Sequence, residues 1–239
     1  MPASQPIDIL AGRAYDATRD GSPMAGFVGA QHQFHDAAFV QGWADRFVPT
    51  APRIALFDMI LGEIERLGIA SANVLELGLG PGYMARHILD RNNTVRYEGL
   101  DFSEVFFEVA KRNLGDQAAR VTLTKADLMN QSWPTHLARA PHAIVSTWAL
   151  HDLGGQQAVA DVYARSFEIL PKGGILVNGD FIKPDGTAWD YEPGRFEVER
   201  HLELLRSAGF QDPVALRHFE REIEQPTAAQ NYACMFAAK

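Results

Sequence analysis

Val74-Leu-Glu-Leu-Gly-Leu-Gly-Pro-Gly-Tyr83 is the stretch that decides how this chain folds. Residues 73–77 are short, apolar and compatible with a β-strand, and Gly78, Gly80 and Gly82 follow at alternate positions. Helical spacing resumes over 83–89. A strand that passes through a glycine turn into a helix brings backbone N–H groups and a helix N-terminus up to a ligand. A dinucleotide-binding turn wants its third glycine three residues after the second, and that place is held by Tyr83. The spacing is instead Glu76-x-Gly78-x-Gly80-x-Gly82. Taken alone it marks a tight strand–helix turn, which uses glycine with or without a ligand.

Working outward, Pro52 opens a helix in which Ile54, Phe57, Ile60, Leu61, Ile64 and Leu67 form one face, with Gly68 as its stop. Downstream, 95–100 reads as a strand running into Asp101-Phe102-Ser103, and Ser103 suits the N-cap of a helix carrying Val105, Phe106, Val109, Ala110 and Leu114. Further strands are expected over 120–124, 143–147, 175–178, 214–219 and 232–236, and helices over 156–170 and 195–208, the last stopped by Gly209. Alternating strands and helices predict an α/β fold whose sheet is mostly parallel and covered on both faces. Ahead of it, residues 1–30 read as an extended arm without periodicity. In 31–48, Phe34, Phe39, Val40, Trp43, Phe47 and Val48 are spaced as one amphipathic helix or two short ones. That segment either packs over one end of the sheet or closes as a lid over a substrate. The expected division is therefore 1–50, arm and helical lid, and 51–239, the main domain.

Composition narrows the function. A net charge of −8 argues against a large nucleic-acid footprint, since phosphate binding needs a cationic face. Cys234 is the only cysteine, so neither an intrachain disulfide nor a thiolate metal cluster is expected. Residues 1–8 lack a basic stretch followed by an apolar core, and no apolar run approaches the ~20 residues that span a bilayer. A cytoplasmic protein with no membrane partner is expected, with a homodimer left open. Asp101 lies 25 residues after Glu76 and ends the second strand, where a carboxylate can accept both hydroxyls of a ribose or simply cap the next helix. Asp127 ends the third strand, as a ligand or as a plain turn residue.

With these pieces in order, the chain from about Pro52 onward resembles the class I S-adenosylmethionine-dependent methyltransferases. Glu76 to Gly82 is similar to their motif I, Asp101 and Asp127 to their second- and third-strand acids, and Leu-Pro-Lys-Gly-Gly-Ile-Leu-Val (170–177) to their fifth-strand entry. The resemblance implies a Rossmann-like, seven-stranded, mostly parallel sheet with its last strand antiparallel. It implies S-adenosylmethionine as cofactor, held by Glu76, Gly78, Leu79, Gly80, Gly82, Asp101, Phe102, Asp127, Leu128 and Thr147, with S-adenosylhomocysteine as product. Asp127 would take the adenine amine.

A narrower resemblance bears on mechanism. Trp148-Ala-Leu-His151-Asp152, then a helix and Leu-Pro-Lys-Gly-Gly, is similar to the plant-type small-molecule O-methyltransferases. It implies that His151 deprotonates a hydroxyl acceptor and that Asp180, just after the fifth strand, orients it. A neutral imidazole fits that task, with a carboxylate fixing its tautomer. Those enzymes carry a long N-terminal dimerisation domain where this chain has about fifty residues, and His151 can equally line the pocket. No metal is expected, because Ser146 and Thr147 stand where metal-dependent relatives place an acid. Phe34, His35, Trp43, Trp148, Asp152, Trp189 and Tyr191 are candidates for the acceptor pocket. The leading reading is methyl transfer to a small molecule at oxygen. Its rivals are N- or C-methylation by proximity alone, an RNA- or protein-directed methyltransferase, and a non-catalytic cofactor-binding protein.

Overall fold

The computed structural model describes residues 32–188, 193–221 and 230–239. Five parallel strands come first in the chain: β1 (Asn73–Leu77), β2 (Arg96–Asp101), β3 (Val121–Lys125), β4 (Ala143–Thr147) and β5 (Ile175–Phe181). The sheet is completed by β6 (Gln211–Phe219) and β7 (Tyr232–Ala238), in the order β3-β2-β1-β4-β5-β7-β6, with β7 antiparallel to both neighbours. The helices α1 (Ala37–Arg46) and α2 (Ala51–Arg66) precede β1, and α3 (Tyr83–Arg91), α4 (Glu104–Leu114), α5 (Gln156–Ile169) and α6 (Val198–Ala208) run between strands.

Period-two alternation in the strands feeds two cores. Val74, Val145, Val177 and Cys234 face α2 and α3, while Leu75, Ile144, Leu176 and Met235 face α5 and α6. Burial on both faces explains why these strands read as continuous apolar runs. The chain's direction through the sheet reverses between β1 and β4, and α/β sheets bind ligands outside the strand ends at such a point. There Gly78 (φ 73°) and Gly80 (φ 50°) take left-handed conformations, and a Cβ on Gly78 would overlap that of Ala149. Gly78 and Leu79 both donate to the carbonyl of Leu100, which stitches the turn to β2.

Two element boundaries and one helix face depart from expectation for identifiable reasons. β5 runs on through Gly179 and Asp180 to Phe181, because Asp180 pairs with Ala233 and Phe181 with Tyr232 on β7; ladder pairing overrides the loop-like side chains of Asn178 and Asp180. The helix α6 starts at Val198, since Arg195 is buried and donates to the carbonyls of Ile182 and Gln230. Ile54 is exposed, and its expected place on the buried face of α2 goes to Leu56 and Arg53. In the 31–48 segment a 3-10 turn (Gln33–His35) and α1 form. Phe34, Val40 and Ala44 pack on Phe106 and Val109 of α4, and Ser103 Oγ, Tyr83 Oη and Arg112 bond to Phe34 O, Ala44 O and Gln41.

Candidate active site

A cavity of about 450 Å³ opens at the C-terminal ends of β1, β2 and β4, within the ~300–1,000 Å³ range of small-molecule sites. One end is built by the glycine turn and the strand-end acids. Asp101 Oδ2 accepts from Gly80 N at 2.9 Å and Oδ1 from Ser103 N at 3.0 Å, so the carboxylate shapes the turn that it would share with a ligand. Burial, opposed by these N–H donors, pushes its carboxyl up to about 6. Glu76, 1% exposed, accepts from Tyr97 Oη at 2.8 Å. Burial raises its carboxyl to about 8, with the Tyr97 bond opposing and Asp101 adding to the rise. Two acceptor carboxyls whose hold on a proton is raised by desolvation, beside a turn whose Gly80 has open space over its Cα, fit a ligand that brings hydroxyl and ammonium donors. Leu79, Phe102, Asp127, Leu128 and Thr147 line the same end. Gly82 does not; it caps α3 with φ 75° and packs against Ala110.

The other end is formed by a turn after β4 and by the end of β5. Trp148 leaves the strand with φ 48°, a costly conformation for a large side chain. A 3-10 turn (Leu150–Leu153) then places His151 against Asp180. The fully buried Asp180 accepts from His151 Nδ1 at 2.8 Å and from the His151 backbone N–H at 3.1 Å. A carboxylate can only accept, so Nδ1 carries the hydrogen and Nε2 is left as the basic nitrogen. Nε2 lies 3.3 Å from Asp152 Oδ1, and both His151 and Asp152 line the cavity. Behind the pair, Asn178 Nδ2 donates to Tyr163 Oη, which is 2.9 Å from His201 Nδ1. Burial lowers His201 to about 4 and raises the Tyr163 phenol. Gly194 closes over the turn so tightly that a Cβ there would overlap the His151 carbonyl.

Of the acceptor-side candidates, Phe34, Trp43 and Trp148 line the cavity with Asp152. His35 is exposed and meets the edge of Phe102 without lining it. Trp189 and Tyr191 lie outside the described residues. Sequence reasoning missed Arg53, Phe57 and Phe181, which also face this end. The signal for Arg53 was its spacing: it stands four before Phe57 and seven before Ile60, on the apolar stripe of α2.

Comparison with known proteins places this geometry. Residues 74–174 match the family model described as a methyltransferase domain. An uncharacterized methyltransferase of Geobacillus sp. is 28% identical over 141 residues, 59% of this chain and 58% of that protein. The chain thus spans little more than half the length of that relative. Among solved structures, an O-methyltransferase family protein from Burkholderia thailandensis superposes with a TM-score of 0.67 at 16% identity, covering 92% of this chain and 65% of the other. The CurJ carbon methyltransferase gives 0.65 at 18% identity, covering 84% and 58%. At such identities the likeness is one of fold, and proteins named for oxygen and for carbon methylation share it.

Proposed function

The chain carries a methyltransferase domain on the class I fold, and on that premise we propose that it transfers a methyl group from S-adenosylmethionine to the oxygen of a small-molecule acceptor, with His151 as general base. One observation carries this reading: a single cavity joins the glycine turn, Glu76 and Asp101 at one end to the His151–Asp180 pair at the other. The residues that would hold the cofactor are Glu76, Asp101, Asp127 and the backbone of Gly78 to Gly80. When bound, it supplies a methyl group made electrophilic by a sulfonium.

The chain's own contribution is alignment, desolvation and proton removal. Asp180 holds Nδ1–H and so leaves Nε2, beside Asp152, as the nitrogen that takes the proton of the acceptor's hydroxyl. His151 takes that proton as the oxygen becomes the nucleophile. The ring then carries a positive charge between Asp180 and Asp152, which stabilise it from both sides. Phe57, Trp148 and Phe181 give the acceptor region its apolar walls. The cavity's enclosure by side chains, together with the acidic composition, supports a small acceptor over RNA or protein.

His151→Ala should leave affinity for S-adenosylhomocysteine nearly intact while slowing the chemical step by ~10²–10⁴-fold. Asp180→Asn should act in the same direction and less strongly. Single-turnover rates across pH, on a panel of phenols, carboxylates and amines, decide the matter. A His151→Ala variant that keeps both rate and pH profile reduces His151 to a pocket wall and removes the support for oxygen.

A further inference from the structure

Arg53 stands in the first turn of α2, among Ala51, Pro52, Ile54 and Leu56. It is 7% exposed. Its guanidinium lies between two aromatic faces, 5.1 Å from the ring centroid of Phe47 and 4.9 Å from that of Trp148. Among the described residues no hydrogen bond or ion pair reaches it. Burial lowers its pKa against the opposing fields of Tyr232 and Glu220, neither of which comes within bonding distance. Beside it, Trp148 Nε1 and Tyr232 Oη are buried and unpartnered, and Trp148 and Tyr232 meet edge to face at 5.3 Å. Arg53 and Trp148 both line the cavity.

A buried guanidinium without a carboxylate is a costly arrangement that folding alone does not explain. Aromatic stacking offsets part of the charge but leaves the planar fork of N–H donors unused. A fork of donors next to a free indole N–H, flanked by the aromatic rings of Phe47, Phe57 and Trp148, matches a planar anion with two acceptor oxygens. We propose that Arg53, with Trp148 Nε1 beside it, binds the carboxylate of a molecule held in this cavity. The proposal rests on the methyl-transfer reading for the identity of that molecule: the carboxylate belongs to the amino-acid end of the cofactor or to the acceptor.

Two titration arms separate these sources without turnover. In the first, S-adenosylhomocysteine and 5′-methylthioadenosine, which lacks the amino-acid end, are titrated into the wild type, Arg53→Gln and Arg53→Lys. A cofactor carboxylate on Arg53 predicts that Arg53→Gln weakens S-adenosylhomocysteine about tenfold to a hundredfold and leaves methylthioadenosine unchanged. Arg53→Lys, which keeps the charge and loses the fork, should fall between. In the second arm, protein saturated with S-adenosylhomocysteine receives 4-hydroxybenzoate or 4-hydroxybenzamide, and the same comparison is made with 3-phenylpropanoate and its amide. An acceptor carboxylate predicts at least a tenfold preference for the anion in the wild type, lost in Arg53→Gln. If Arg53→Gln also loses methylthioadenosine through misfolding, Arg53→Lys carries the comparison. Arg53 variants that leave both the cofactor ratio and the anion preference at wild-type values overturn the proposal. A wild type that binds neither nucleoside sinks the methyl-transfer reading instead, and the second arm, run without S-adenosylhomocysteine, still decides Arg53.

Discussion

Replacing Glu76 with glutamine removes an ionisation that the fold opposes. The carboxyl is 1% exposed and its pKa stands at about 8, against 4.5 when unperturbed, chiefly because burial penalises the anion. The folded chain therefore holds a proton that the unfolded chain releases as pH rises from 4.5 to 8. Stability contributed by this group is full below that window, falls as pH rises through it, and levels off above it. Each unit corresponds to ~1.4 kcal/mol; between pH 5 and pH 8 the loss is roughly 2–3 kcal/mol once water entering the cavity is allowed to relieve part of the desolvation. Glutamine keeps an acceptor for Tyr97 Oη and does not titrate. The assay is urea unfolding of wild type and Glu76→Gln at pH 5 and pH 8. The difference between the two proteins should move in favour of the variant by that amount, the Glu76 contribution being read together with its coupling to Asp101. A difference that stays constant with pH, or moves toward the wild type, refutes the assignment of a neutral buried carboxyl.

Three further outcomes are expected. Gly194→Ala forces a Cβ onto the His151 carbonyl and should cost ~1–3 kcal/mol by overpacking, visible in chemical denaturation; an unchanged midpoint would mean that the 193–196 segment yields freely. His201, lowered to about 4 by burial, charges more readily in the unfolded chain, so stability should fall as pH drops from ~6.5 to ~4. His201→Gln should flatten that limb, and an unaltered acid transition would place the cause elsewhere. The segment 32–48 should exchange its amide hydrogens more slowly when cofactor and acceptor are both bound. Equal exchange in free and bound protein leaves it as packing on α4 and removes the lid.

The parts legible in the sequence are those that local rules dictate. Three glycines after a five-residue apolar strand, and Ser103 before an amphipathic run, specify backbone shape directly, and Ser103 does accept from Val105 N. Alternating apolar runs specify a covered parallel sheet. What stayed hidden depends on distant partners. Asp180 reads as a loop acid after β5 and becomes a strand residue through β7, which lies some fifty residues further on. Asp101 reads as a ligand's acid and is also a brace for Gly80. Arg53 is not singled out by the sequence reading, although its spacing puts it on the apolar stripe of α2; the closure of Phe47 and Trp148 around it makes it a buried donor. His151 was found through its neighbours in sequence, yet the Asp180 contact that gives it a defined tautomer is tertiary.

The central claim is that this cavity holds an adenosyl cofactor on Asp101 and the glycine turn. Calorimetric titration of S-adenosylhomocysteine into the wild type and into Asp101→Ala tests it most directly. The account predicts one site per chain in the wild type and an affinity about tenfold to a hundredfold lower in the variant, the loss expected for charge-assisted hydrogen bonds. A wild type without saturable binding, or an Asp101→Ala variant that binds as tightly as the wild type, would contradict it.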